Sequence, residues 1–139
     1  MGGPENPEVM EQTRRILLID DDYDHLLTCS FILKRRGYEV LALAGCENMD
    51  ELTAAVTTFR PGLIFLEHNM RGICGMDLTG MLKSHTEFKK IPVIYFSGLG
   101  DIIQLATQAG ADGYLKKPFE VDGLISIASK YFEGAAGIR

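Results

Sequence analysis

Residues 16–22 read Ile-Leu-Leu-Ile-Asp-Asp-Asp, four apolar side chains in unbroken succession and then three carboxylates. A run so short and so continuous marks a strand buried on both faces, because a strand with one wet face would alternate. The same form recurs along the chain in Val40-Leu41-Ala42-Leu43, Leu63-Ile64-Phe65-Leu66 and Val93-Ile94-Tyr95-Phe96, with a shorter fifth in Gly113-Tyr114-Leu115. Between the runs the apolar spacing changes to that of helices. Leu26, Cys29, Ser30 and Leu33 fall at i, i+3, i+4 and i+7 ahead of Gly37. Met49, Leu52, Ala55 and Val56 precede Pro61, and Met76, Leu78, Met81 and Leu82 form a third group. Ile102, Leu105, Ala106 and Ala109 end at Gly110, and Leu124, Ile127, Ala128 and Tyr131 close the series. Strand and helix alternate five times. Parallel strands need crossovers of about a dozen residues, which each helix supplies. The prediction is an α/β fold, a doubly wound five-stranded parallel sheet with helices on both faces. Periodicity leaves the strand order open; 2-1-3-4-5 is one of two common solutions, with the ligand crevice beyond the carboxyl ends of strands one and three.

The chain's 139 residues, 46% hydrophobic and 24% charged, fit one domain with a real core. Residues 1–13 hold two prolines, two glycines and no periodicity, and read as a flexible tail. The folded domain is expected over 14–133, with 134–139 as a C-terminal tail. No long apolar run and no basic leader occurs, so neither a membrane span nor a secretory signal is expected, and the location read from this is cytoplasmic. A net charge of −5 with basic residues only in twos and threes argues against direct nucleic-acid binding. Cys29, Cys46 and Cys74 share no CxxC spacing and read as reduced thiols. His25, His68 and His85 are scattered and read as ordinary surface or turn histidines. Gly98-Leu99-Gly100 imitates a dinucleotide loop, yet Ile103 stands where its third glycine belongs.

The residues that end the strands carry the chemistry. Strand one runs into Asp20, Asp21 and Asp22, strand three into Glu67, strand four into Ser97 and strand five into Lys117-Pro118. Asp22 reads as the N-cap of the first helix. Clustered carboxylates need a cation, and the meeting of carboxylates, hydroxyl and ammonium on one edge suggests magnesium and phosphoryl handling.

On these residues the chain resembles the response regulator receiver domain of two-component signalling, over about 14–133. ILLIDDD resembles that family's first strand and acidic pair. PGLIFLEHNMRGICGMDL resembles the segment with its phospho-accepting aspartate, while PVIYFSG and AGADGYLKKPF resemble the segments with its hydroxyl residue and its lysine. The resemblance implies a flavodoxin-like sheet in the order 2-1-3-4-5. It also implies a magnesium site at Asp20, Asp21, position 67 and the backbone of Asn69, a hydroxyl at Ser97, a switch aromatic at Tyr114, and a cis Lys117-Pro118 bond. The partners implied are a sensor histidine kinase, a phosphotransfer protein or an effector, in a bacterial setting; a homodimer is left open.

The departures shape the functional expectation. Glu67 stands where the family has its acceptor aspartate. Its extra methylene carries the carboxylate about 1.5 Å further out, and misplacement by about 1 Å costs on the order of a hundredfold in rate. The leading reading is therefore a pseudo-receiver, not an enzyme, in which unphosphorylated Glu67 approaches Lys117 or Ser97 and partly imitates the phosphorylated state, with magnesium binding weakened. The alternatives are a magnesium-dependent phospho-accepting receiver and, more remotely, a flavin-type small-ligand binder of the same topology. Arg71 replaces the proline usual four residues after the acceptor, and the segment from Ser97 to Gly110 looks about two residues short. Leu27 and Phe31 lie beside the core stripe of the first helix, read as a wide core face or as a partner surface.

Overall fold

Each apolar run becomes a strand because its residues find apolar cover on both sides of one sheet. The computed structural model describes residues 14–68, 70, 72–98 and 100–132. The strands are β1 (Arg15–Ile19), β2 (Glu39–Leu43), β3 (Leu63–Leu66), β4 (Val93–Ser97) and β5 (Gly113–Lys116). The helices are α1 (Tyr23–Arg35), α2 (Met49–Phe59), α3 (Gly75–Ser84), α4 (Ile102–Ala109) and α5 (Val121–Phe132). All strand pairs are parallel, in the order β2-β1-β3-β4-β5, so the doubly wound flavodoxin-like sheet expected from the sequence is the one found. The expectations for residues 1–13, 134–139, Asn69, Arg71 and Leu99 lie outside the described residues.

Period two splits the core by face. Leu17 and Ile19 join Ile64 and Leu66 under α2, α3 and α4. Ile16 and Leu18 join Phe65 and Phe96 under α1 and α5. Full burial of one such side chain contributes about 1.5–3 kcal/mol, and every residue of β3 and β4 is buried. The run at Val40 to Leu43 departs from the sequence reading: β2 is only partly buried, with Glu39 and Ala42 exposed. It is an edge strand, so its outer flank lacks a neighbour. β5, the other edge, alternates between half-buried and exposed.

The helices bury the stripes their spacing announced. In α1 the buried residues are Leu26, Cys29, Ser30 and Leu33. Asp22 caps it by accepting the His25 backbone N–H at 3.1 Å, Lys34 and Arg35 favour its C-terminal dipole, and Gly37 leaves it at φ +91°. Leu27 and Phe31 are 52% and 63% exposed, which removes the wide-core-face reading. One glycine is forced by contact: a Cβ on Gly75, at the start of α3, would lie 2.8 Å from the Glu67 carbonyl oxygen and from His68 Cα. Among the described residues no helix is long and apolar enough to cross a membrane.

Candidate functional site

The side chains beyond the strands converge because the sheet's hydrogen bonding runs one residue past its strands. The Asp20 N–H donates to the Leu43 carbonyl (3.1 Å), the Glu67 N–H to that of Ile19 (2.9 Å), and the Lys117 N–H to that of Ser97 (2.8 Å). Three chemistry-bearing residues are thus fixed to neighbouring strands at a single edge of the sheet.

Lys117 Nζ donates to Glu67 Oε1 at 2.6 Å and to Asp20 Oδ2 at 2.8 Å. The Asp20 and Glu67 side chains are 1% and 7% exposed, and that of Lys117 19%. Lys117 also lies 5.2 Å from the centre of the Phe96 ring. Asp20 is held further by the Asp22 N–H, which donates to Oδ1 at 3.0 Å, and by His25 Nδ1, 2.9 Å from Oδ2. Burial alone would raise the Asp20 pKa. The hydrogen bonds from His25, Lys117 and the Asp22 backbone, with the charge of Lys117, outweigh it and keep the carboxyl below its usual range. For Lys117 burial works downward, and the two carboxylates win, raising it above the usual lysine value.

An ionised Asp20 accepts only, so His25 carries its proton on Nδ1. Its Nε2 then faces Cys29 Sγ at 3.6 Å, a thiol that burial, aided by the nearby Asp20 charge, pushes up to about 12. The thiol keeps its proton and can donate it. A chain of contacts therefore runs from Cys29 through His25, Asp20 and Lys117 to Glu67.

His25 and Cys29 escape a reading of the sequence for site residues, and the expectation of an ordinary surface histidine for His25 is corrected here. A signal is present nonetheless: a helix capped at Asp22 sets its third residue one turn above the acid that ends β1. Among the other candidates, Ser97 is buried at the last position of β4, while Asp21 is half-buried. Tyr114 stands on edge strand β5, 44% exposed. The Lys117–Pro118 peptide is cis. All three cysteines are free thiols.

The resemblance implies magnesium, and the donors can be tested against it. Asp20 Oδ2 already accepts from His25 and Lys117, Oδ1 accepts from Asp22, and Glu67 Oε1 accepts from Lys117. Among the described residues no three His, Cys, Asp or Glu side chains are grouped to hold a metal ion. As arranged, these three oxygens do not fit a divalent cation, because all are engaged from within the protein and an ammonium lies between the two carboxylates.

The family model of the response regulator receiver domain matches residues 16–129. Protein RcaC of Microchaete diplosiphon is 33% identical over 115 residues, 81% of this chain but 17% of RcaC. Sporulation initiation phosphotransferase F of Bacillus subtilis is 27% identical over 118 residues, 84% of this chain and 92% of that protein. The crystal structure of the receiver domain of NtrX from Brucella abortus superposes with a TM-score of 0.74 at 30% identity, covering 86% of this chain and 99% of that one. Among relatives, then, the shared length runs from under a fifth to nearly the whole protein.

Proposed function

This chain belongs to the response regulator receiver domain family, and from that premise we propose that it signals through protein contacts with Glu67 standing permanently in place of a phosphorylated aspartate. The observation that carries the reading is the 2.6 Å bond from Lys117 to a Glu67 carboxylate that is itself almost wholly buried. A phosphodonor needs an acceptor oxygen free to attack in line with its phosphorus, whereas Glu67 Oε1 is engaged by Lys117. Glutamate brings about one negative charge and two oxygens, against nearly two charges and three oxygens for a phosphoryl group. The state imitated is therefore a partial one: the lysine is engaged, with weaker demand on Ser97 and Tyr114. Partners would be a sensor histidine kinase, a phosphotransfer protein or an effector. The relatives' names point the same way, one being a phosphotransferase of sporulation and another a nitrogen assimilation regulatory protein. Magnesium binding would be weak, since Asp20 and Glu67 have their charge answered from within.

Intact-mass measurement after treatment with acetyl phosphate and magnesium chloride tests the reading. The parent is expected to remain unlabelled, and Glu67→Asp to gain a labile phosphate. Labelling of the parent at Glu67 would return it to the ordinary phospho-accepting receivers, with Ser97 and Lys117 in their usual phosphoryl-binding roles.

A further inference from the structure

Two donors meet on Asp20 Oδ2, and they differ in how easily they can leave. Lys117 ends a flexible four-carbon stem and can swing aside when a cation arrives. His25 cannot. Its ring meets Phe96 edge-on at 5.0 Å and Phe119 at 5.3 Å, and its far nitrogen faces Cys29 one turn further along α1. The helix beneath it is fixed by the Asp22 cap and by buried Leu26 and Leu33.

From this geometry we propose that His25 is a positioning residue that lowers the acidic pocket's affinity for divalent cations by keeping Asp20 turned onto Lys117. The inference rests on reading the pocket as the family's acidic site and assigns a cause for its poor fit to a metal that does not involve Glu67. Each carboxylate oxygen offers about two lone-pair directions, and on Oδ2 both are occupied. A hard cation must recruit oxygens at close range while keeping several waters. Here it would have to displace an imidazole held by two aromatic rings and a thiol. Removing the donor while keeping the ring shape should reopen the site.

The test is a magnesium chloride titration followed by amide NMR shifts of Asp20 and Asp21, with thermal melts alongside. His25→Phe preserves the contacts with Phe96 and Phe119 but cannot donate; its magnesium affinity is expected to rise about tenfold, equivalent to about 1.4 kcal/mol. His25→Asn places an amide N–H near the position of Nδ1 and is expected to restore the parent affinity despite its smaller bulk, which a merely space-filling role would not explain. Parent-like affinity in His25→Phe overturns the proposal, as does a His25→Asn that matches His25→Phe. If His25→Phe fails to fold, His25→Leu decides, since it too fills the space without donating: a gain of about tenfold supports the proposal and a parent-like affinity overturns it. Labelling of the parent by acetyl phosphate would refute the Glu67 reading while leaving this ratio of affinities unaffected, so the two can fail separately.

Discussion

Two lysines bridge to carboxylates at opposite ends of this sheet, and the bonds are equally short. Lys117 lies 2.6 Å from Glu67 beyond the carboxyl ends of the strands; Lys83 lies 2.6 Å from Asp112 at their amino ends. Their surroundings differ. Asp20 and Glu67 are nearly sealed from solvent, while the Asp112 side chain is 38% exposed. At 4 Å two unit charges interact by about 1 kcal/mol in water and by about 4 kcal/mol at an effective dielectric of 20. Leaving one such charge alone is correspondingly costly only where water cannot answer it. Bond length therefore does not measure what an ion pair contributes; the solvent each partner has given up does.

Removing each ammonium in turn puts the two ends to the hardest trial. Lys117→Met leaves two carboxylates facing each other in a closed site, and a loss of about 3 kcal/mol is expected in urea denaturation at neutral pH. Losses of similar size at the two ends would sink the distinction. The pH dependence supplies a second trial. Asp20 titrates below its usual value near 3.8, so the stability it contributes is whole above that value and disappears as the pH falls through the depressed folded pKa. Lys117 titrates above its usual value near 10.5, so its contribution is whole below that value and disappears as the pH rises through the raised one. Asp20→Asn is thus expected to flatten the acid limb of the stability profile below about pH 4, and Lys117→Met the alkaline limb. A parent-like acid limb in Asp20→Asn would mean that another carboxyl governs it.

A backbone contact separates the closed end of the sheet from its surroundings in another way. Gly75→Ala drives a methyl group into the Glu67 carbonyl and His68 Cα, 2.8 Å away, and should cost about 2 kcal/mol while shifting the Glu67 amide resonance. At Gly80, further along α3, an added methyl group would meet nothing within 4 Å. Gly80→Ala should therefore stabilise by about 0.5–1 kcal/mol through helix propensity alone. If both alanines behave alike, the end of β3 is less tightly built than its geometry implies.

Most of the fold is legible in the sequence because continuous apolar runs and helical stripes record burial directly. Leu26, Cys29, Ser30 and Leu33 form the buried face of α1 as their spacing announces. β2 is the exception, because its run at Val40 to Leu43 does not say how many neighbours the strand has; edge position is a property of the whole sheet. At the site, acids and amine stand out because they end strands, where the chain's direction already brings them to one rim. His25 does not stand out in that way. It belongs to the site through the pitch of a helix, legible only as its place three residues after the Asp22 cap, and through the packing of Phe96 and Phe119, which leaves no trace in residue type. Cys29 has the spacing of one more core residue, which it is, but it also faces the second nitrogen of His25.

The smallest effect belongs to the open end of the sheet. Lys83→Met removes the bonds to Asp112 and to the Ile91 carbonyl, the latter at 2.9 Å. The methionine still covers the apolar path of the lysine stem, so packing is largely retained. Asp112 would not be stranded, for the Val93 N–H continues to donate to the same oxygen at 2.8 Å and water reaches the rest of the side chain. The carbonyl of Ile91 sits in a half-buried turn where solvent can replace an ammonium. Half-exposed pairs of this kind contribute about 0.2–1 kcal/mol, so the expected loss is at most about 1 kcal/mol in the same urea titration, and it should shrink in 1 M salt, where screening acts within about 3 Å. The corresponding loss for Lys117→Met should hardly respond to salt, because its charges are screened little when ions cannot approach. A salt response of equal size at the two ends would mean that solvent ions enter the Asp20–Glu67 site as freely as they reach Asp112, and the burial argument for that site would fail.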